Sequence, residues 1–231
     1  MEPFEENCPI PSAHEKYTEA RYFLIQCLLN YHVPQPFLHN LNAFIQAFRN
    51  ITFMLQSEDH QPSTFQTWYE VKREEMRKLP PLRRLVDARN IVVKQSSLTA
   101  KSTVKCGLFR GRRMKLSSEC HIKPFTKTET ILALTSKFVG DFFLGGKHDI
   151  VGEQAGVERV WIVEELGEGE VMAGCIEAMN YMINFVEEAH HLSGRTSGLD
   201  LFGIEDMREF SVFLETDADP TLFAKWGWLE G

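Results

Sequence analysis

The spacing of apolar residues predicts a bundle of four or five helices. Two long segments, at about 13–31 and 36–56, repeat apolar residues at three- and four-residue steps, the period of a helix with one buried face. A third helix starts near residue 65 and stops at Leu79-Pro80-Pro81, where Pro81 can open a fourth. The helical period returns at about 168–192. Because the first helices have short connections, we expect them to pack antiparallel.

The chain between these helical regions has a different pattern, rich in Thr, Val and Ser. Short strands are predicted at about 103–109, 112–116, 119–122, 129–134 and 157–165, and another at 210–215. The predicted fold is therefore mainly α and α+β in total, an antiparallel helical bundle with a β-rich insertion before its last long helix. Its predicted parts are a bundle (1–97), the insertion (98–166), a completing helix (167–193) and an acidic tail (194–231).

The amino-acid composition favours a globular protein over a disordered or membrane-spanning one. With 43% hydrophobic residues, the 231-residue chain can bury a core and is globular rather than disordered. No apolar run reaches the length of a membrane span, and the start MEPFEENCPIPS lacks the pattern of a signal peptide. The five cysteines are an odd number without tight pairing, typical of reduced thiols. We expect a cytoplasmic protein with no membrane partner and no cofactor.

The net charge of −7 conceals a strong asymmetry along the chain. Residues 72–115 hold 14 Lys and Arg against three acids, a local charge of +11. Residues 149–231 hold 18 acids against four basic residues, a local charge of −14. A basic block is compatible with a polyanion such as RNA. Two faces of opposite sign that attract each other within the fold, or that dock a partner protein, explain the same pattern.

The stretch LVDARNIVVK, residues 85–94, places a charge on an apolar stripe. Arg89 lies three or four residues from Leu85 and Val86 on one side and from Val92 and Val93 on the other. A guanidinium is rarely buried without a partner, because its removal from water is costly. Arg89 is therefore either a functional cation in a groove or a structural cation held by a carboxylate or by backbone carbonyls.

The same stretch resembles the Arg-Asn-x-x-x-His motif of HEPN domains, which are helical bundles. Arg89 and Asn90 match, Lys94 stands at the His position, and TEARYFLIQCL resembles the opening helix of such domains. The resemblance implies a homodimer that cleaves RNA without metal. In it, Arg89 would stabilise phosphorane charge and Asn90 would orient a neighbour or the phosphate. Lys94 would contact phosphate as a point charge, since an ordinary lysine is a poor general base at pH 7.

The stretch GLFRGRRMKLS is a second candidate for nucleic-acid contact. Its cations alternate with Phe109, Gly111 and Met114, so in a strand several of them would share one face. Such a face suits a phosphate backbone. A solvated edge strand that is protected from aggregation by its charge is the competing interpretation. The predicted nucleic-acid-binding residues are Arg110, Arg112, Arg113 and Lys115.

The histidines and cysteines do not predict a metal site by their spacing. The segment EEAHH (187–191) has two overlapping E-x-x-H patterns, but a carboxylate-bridged site needs a second such motif, and none is found. Cys106, Cys120 and His121 lack zinc-ligand spacing. His14 could replace the missing imidazole only by folding back onto the motif. The second Arg-Asn pair, Arg49-Asn50, is interpreted as packing at a polar seam.

The resemblance to HEPN domains implies an RNA-directed role of the kind that such domains fill in bacterial toxin–antitoxin or antiviral defence. The protein would be a variant or degenerate metal-independent ribonuclease, with Arg89, Asn90 and Lys94 as its catalytic residues. The alternative is a non-enzymatic module that docks a cognate protein through opposed basic and acidic faces.

Overall fold

The computed structural model describes residues 8–59, 61–95, 98–119, 123, 125–135, 153–196, 198–204 and 206–218. It is a mainly helical α+β fold with a small antiparallel four-stranded sheet. No helix in these ranges combines the length and the apolar character that a membrane crossing requires. The described helices are α1 (Pro11–Leu29), α2 (Pro34–Gln56), α3 (Phe65–Lys78), α4 (Pro80–Gln95), α5 (128–135), α6 (Val171–Leu192) and α7 (Arg208–Ser211).

The sheet has the strand order β2-β1-β3-β4. Its strands are β1 (Ala100–Arg110), β2 (Arg113–Glu119), β3 (Gln154–Val163) and β4 (Val212–Leu214). The β1–β2 hairpin turns at Gly111 and Arg112, and its register shifts between Leu108 and Phe109. Gly111 has a φ of 55°, a left-handed conformation that glycine adopts without steric cost.

Contacts within the chain form two compact units. The first comprises Met1–Cys27, Leu38–Ala100 and Val163–Gly203. The second comprises Leu28–Phe37, Lys101–Ile162 and Ile204–Gly231. The candidate sites described below lie within one unit or the other.

Helices build the core of the first unit. The stripes predicted from the sequence are buried in α1, α2 and α6, because residues at three- and four-residue steps share one helix face. At the start of α6, the Glu170 carboxylate accepts a hydrogen bond from the Ala173 amide at 2.8 Å and caps the helix. The α4 helix packs against α3 and α6.

The sheet and α5 form the core of the second unit, with a cluster of buried residues from β1, β3 and α5. Trp161 in β3 is fully buried and stacks on Phe37 with ring centroids 4.7 Å apart. Its indole nitrogen donates to the Tyr31 carbonyl at 2.8 Å, so the aromatic ring is buried with its polar atom satisfied.

Three predicted features differ from the structure. Residues 129–134, predicted as a strand, belong to α5, where the Thr135 hydroxyl donates to the Ile131 carbonyl of the preceding turn. The strand predicted at 112–116 starts only at Arg113, since Arg112 occupies the turn. The strand predicted at 210–215 is shorter, because α7 extends to Ser211. For the strand predicted at 119–122, residues 120–122 lie outside the described part of the chain.

Candidate anion-binding site

A cavity of about 430 Å³ opens in the first unit. It is bounded by α2, α3 and α4, and α6 contributes Met182. Four of its side chains are arginines, and most of the remainder are apolar or aromatic. The lining residues are Phe48, Arg49, Thr52, Phe53, Gln56, Tyr69, Arg73, Met76, Arg77, Leu82, Arg83, Val86 and Met182.

The α3 helix positions two of the arginines through its helical repeat. Tyr69 is buried, and Arg73 and Arg77 follow it at four-residue steps, so the three side chains lie along one face. The neighbouring face anchors α3: the Trp68 ring stacks on Phe185 at 5.1 Å between ring centroids. One face of α3 is thus fixed by packing while the next presents cations to the cavity.

Arg49 of α2 is the most enclosed of the four arginines. Its guanidinium lies 4.1 Å from the centroid of the Phe53 ring and donates a hydrogen bond to the Thr52 hydroxyl. Burial lowers the pKa of Arg49, and the nearby charge of Arg89 lowers it further. A second positive charge beside a partly buried one raises the free energy that is needed to keep both groups charged. An anion in the cavity would offset that free energy.

Among the described residues, no acidic side chain lines the cavity. Arg77 pairs with Glu74 on the exposed surface of α3 at 2.5 Å. In the described part of the chain, no carboxylate pairs with Arg49, Arg73 or Arg83. The lining therefore carries a positive charge that its own side chains do not neutralise.

The predicted catalytic residues lie on α4, beside this cavity rather than in its lining. Arg89 is half-buried and has no carboxylate partner among the described residues, while Asn90 is exposed. The Lys94 side chain lies outside the described residues. The apolar stripe predicted around Arg89 is wrong at one end, since Val93 is 54% exposed. The buried residues are Leu82, Leu85 and Ala88, which places Arg89 at the edge of the stripe.

The predicted nucleic-acid-binding cations lie at the β1–β2 hairpin of the second unit. Arg110 pairs with Glu153 at 2.9 Å. Arg112 pairs with Asp217 at 3.0 Å and also donates to the Val212 carbonyl. The remaining two, Arg113 and Lys115, are exposed in β2.

The two charged blocks of the sequence pair with each other within each unit. In the second unit, Arg110 and Arg112 bind the acids just named. In the first unit, the Lys72 ammonium lies 2.8 Å from a Glu188 oxygen. These pairs agree with the interpretation of two faces that attract each other within the fold. They leave Arg73 and Arg83, two cavity arginines of the basic block, without a carboxylate partner among the described residues.

A group of potential metal ligands also appears in the first unit, although the sequence predicted no metal site. Atoms of Cys8, His14 and His190 all lie within 4.8 Å of one another. The imidazole of His191, which belongs to the same E-x-x-H segment, lies 3.6 Å from Glu187 instead. Cys106 is buried in β1, whereas Cys120 and His121 lie outside the described residues.

Sequence reasoning missed Arg49, Arg73 and Arg83 as site residues. Arg49 was interpreted as packing, and the others were only part of a basic block. One signal was available: Arg73 and Arg77 are like charges four residues apart on a helix, which is destabilising in isolation. That Arg49 and Arg83 join them depends on how three helices pack.

A comparison with protein families corrects the resemblance to HEPN domains. The family model described as bacteriophage lambda protein ea47 matches residues 2–212. The comparisons with curated proteins and with solved structures find no match.

The HEPN assignment is wrong, because the ea47 model accounts for nearly the whole chain, whereas the HEPN resemblance rested on Arg89, Asn90 and the likeness of TEARYFLIQCL to an opening helix. An Arg-Asn pair at the edge of a buried stripe arises readily on any amphipathic helix. The ribonuclease and toxin–antitoxin roles lose the resemblance that suggested them, and the homodimer stays a prediction. Since the matched region is far more than half of its length, the chain belongs to the family of bacteriophage lambda protein ea47.

Proposed function

We propose that the protein binds single-stranded nucleic acid, with RNA as the first candidate, in the arginine-lined cavity and does not cleave it. One observation carries the proposal: four arginines surround a cavity of about 430 Å³, and no acidic side chain is among the lining residues that the structure describes. Cavities of a few hundred Å³ accommodate small ligands, and this one is large enough for a nucleotide-sized group.

The residue types favour phosphate over other anions. An arginine side chain presents several donors in a planar fork that matches two oxygens of one phosphate. The ring of Phe53 is 43% exposed at the cavity, beside the apolar side chains of Met76 and Val86. Single-stranded nucleic acid offers both groups that such a surface binds, because its phosphates meet the cations and its unstacked bases can pack on an aromatic ring.

The same lining supports binding rather than cleavage. Proton transfer at a 2′-hydroxyl needs a group that titrates near neutral pH, such as an imidazole. The described part of the lining includes no histidine, carboxylate, cysteine or lysine. Tyr69 is a poor base there, since burial raises the pKa of its phenol. A bound phosphodiester would be held by cations without a general base in contact.

The proposal includes a cytoplasmic location, where such a ligand would be found. The absence of a disulfide among the four described cysteines supports it, because disulfides persist mainly in oxidising compartments.

The test is binding of a labelled single-stranded RNA oligonucleotide, measured by fluorescence anisotropy at low salt. Arg73→Gln and Arg83→Gln remove exposed charges without breaking a described ion pair, so both variants should fold normally. Each should weaken binding about tenfold, the equivalent of one charge-assisted hydrogen bond of about 1.4 kcal/mol. Arg110→Gln is the matched control, since it removes an exposed arginine from the hairpin, and its affinity should stay near that of the wild type.

Two outcomes would contradict the proposal. One is the absence of RNA binding by the wild-type protein at low salt. The other is an equal loss of affinity in Arg83→Gln and Arg110→Gln, which would indicate a diffuse charge effect. Competition with polyglutamate addresses the alternative of an acidic protein partner: a polypeptide that displaces RNA at equal charge concentration would favour that alternative.

A further inference from the structure

Three side chains converge where α1 begins and α6 ends. Cys8 precedes α1, His14 lies in its first turn, and His190 lies in the last turn of α6. The Cys8 sulfur is 3.6 Å from His14 Nδ1 and 3.4 Å from His190 Nε2. The two imidazole rings meet edge to face, with their planes at 86° and their centroids 5.3 Å apart.

The two sulfur–nitrogen separations match those of ligands that share one zinc ion. A tetrahedral site with Zn–S of about 2.3 Å and Zn–N of about 2.0–2.1 Å places sulfur and nitrogen about 3.5 Å apart. A hydrogen bond from the Cys8 thiol accounts for one of the two contacts, and the other would need a ring N–H of the second histidine to point at the sulfur. One cation between the three atoms would explain both.

The surroundings of His190 orient it as a ligand. His190 is buried, and its Nδ1 lies 2.8 Å from the Val186 carbonyl of the preceding turn. Donation from Nδ1 to that carbonyl fixes the neutral tautomer and leaves the lone pair of Nε2 directed at the Cys8 sulfur. Histidine ligands in metalloproteins are held in the same way, through a hydrogen bond from the second ring nitrogen.

We propose that Cys8, His14 and His190 form a binding site for one Zn²⁺ ion. A thiolate with two imidazoles is a borderline-soft donor set, which favours zinc over magnesium or calcium. The described residues supply three ligands, and a water molecule or another ligand would occupy the fourth position. Because Cys8 and His190 are 182 positions apart in the chain, the ion would link the start of α1 to the end of α6. This site is independent of the arginine-lined cavity.

The test is metal binding by the full chain after chelation and dialysis. With ZnCl₂, the wild type should retain one equivalent of zinc through gel filtration, and its Tm should rise on zinc addition because the ion binds the folded state. With CoCl₂, it should show the near-ultraviolet charge-transfer band of a thiolate–cobalt bond. Cys8→Ser should lose that band. Cys8→Ser and His14→Gln should each weaken zinc binding at least about tenfold.

His190→Gln against His191→Gln is the matched comparison, since the two histidines are adjacent on α6 and only His190 faces Cys8. His191→Gln should bind zinc like the wild type. Because His190 is buried and its substitution could unfold the chain, Cys8→Ser and His14→Gln are the deciding variants. The proposal fails if the wild type retains no zinc, if Cys8→Ser keeps the charge-transfer band, or if His191→Gln loses zinc as Cys8→Ser does.

Discussion

The arginine that is fully buried in this protein is Arg159, not Arg89. Arg159 lies in β3 with 1% of its surface exposed, and its Nη2 donates to the Thr126 carbonyl at 2.5 Å. Its guanidinium lies 5.1 Å from the Trp161 ring centroid, while Nε and Nη1 have no hydrogen-bond partner in the part of the chain that the structure describes. Burial lowers the pKa of Arg159 to about 10. Burying a cation that is held by one carbonyl and one ring costs free energy. The positive charge also affects the pKa values of neighbouring groups.

One of those neighbours, His32, should make stability depend on pH. Burial, followed by the charge of Arg159, lowers the pKa of His32 to about 4 from an ordinary 6.5. The folded state therefore stays unprotonated where the unfolded state gains a proton. The His32 contribution should be constant above about pH 6.5, fall as the pH drops towards 4, and level off below. The loss should approach about 3 kcal/mol, from 1.36 kcal/mol for each pKa unit.

The measurement is the free energy of unfolding in urea at pH 7.5 and pH 4.5, for the wild type and His32→Gln. Glutamine can still bond to the Thr128 hydroxyl, which lies 3.1 Å from His32 Nδ1. Carboxylates titrate equally in both proteins, so the difference between the two pH dependences isolates His32. Parallel pH dependences would show that the histidine does not contribute.

At the scale of the element, the β1–β2 hairpin depends on close approach between its strands. A Cβ atom at Gly107 would lie 1.9 Å from the Leu116 carbonyl oxygen of β2. Backbone atoms cannot move aside as a flexible side chain would. We expect Gly107→Ala to lower the free energy of unfolding by about 3 kcal/mol, near the upper end of overpacking costs.

The hairpin supplies its own control in Gly111, which has a φ of +55° and nothing within 4 Å of its Cβ position. Asparagine tolerates this conformation better than other residues with a side chain. Gly111→Asn should change stability by less than about 1 kcal/mol in the same denaturant titration. If both variants lost the same free energy of unfolding, the sensitivity of the hairpin would come from backbone conformation rather than from the close approach of its strands.

The elements also show how far the sequence could predict this fold. The stripes of α1, α2 and α6 were predictable because periodicity depends only on which face is buried. Residues 129–134 were not, since Thr and Ile favour strands intrinsically while the helical turn of α5 satisfies their backbone. The zinc ligands were hidden for a different reason: Cys8 and His190 have no local spacing in common. The arginine-lined cavity was predictable only in part, because the sequence showed a block of positive charge but not the cavity that some of these charges line.

At the scale of the whole molecule, the net charge of −7 repels nucleic acid while the cavity attracts it. Only the unneutralised arginines should therefore release counterions on binding. With three phosphate contacts, from Arg49, Arg73 and Arg83, log K should fall against log salt with a slope of about −2, at roughly −0.7 per contact for single strands. Between 50 and 200 mM salt, affinity should then drop roughly 20-fold.

The variants make this slope specific to the cavity. Arg83→Gln should reduce its magnitude to about 1.4, because one phosphate contact is lost. Arg110→Gln should leave it unchanged, since Arg110 is already neutralised by Glu153. Anisotropy titrations at four salt concentrations provide the slopes, and equal slopes for all three proteins would exclude Arg83 from the contact.

The course of the chain between its two units has a consequence for synthesis on the ribosome. The first unit is built from three separate segments, the last of which is Val163–Gly203. The α1–α4 helices are complete at Gln95, but α6, against which α4 packs, ends only at Leu192. At about 5–20 residues per second, the nascent helices wait roughly 5–20 seconds for this partner. During that interval α4 lacks one of the helices against which it packs, so a chain released before α6 should be a substrate for chaperones and proteases.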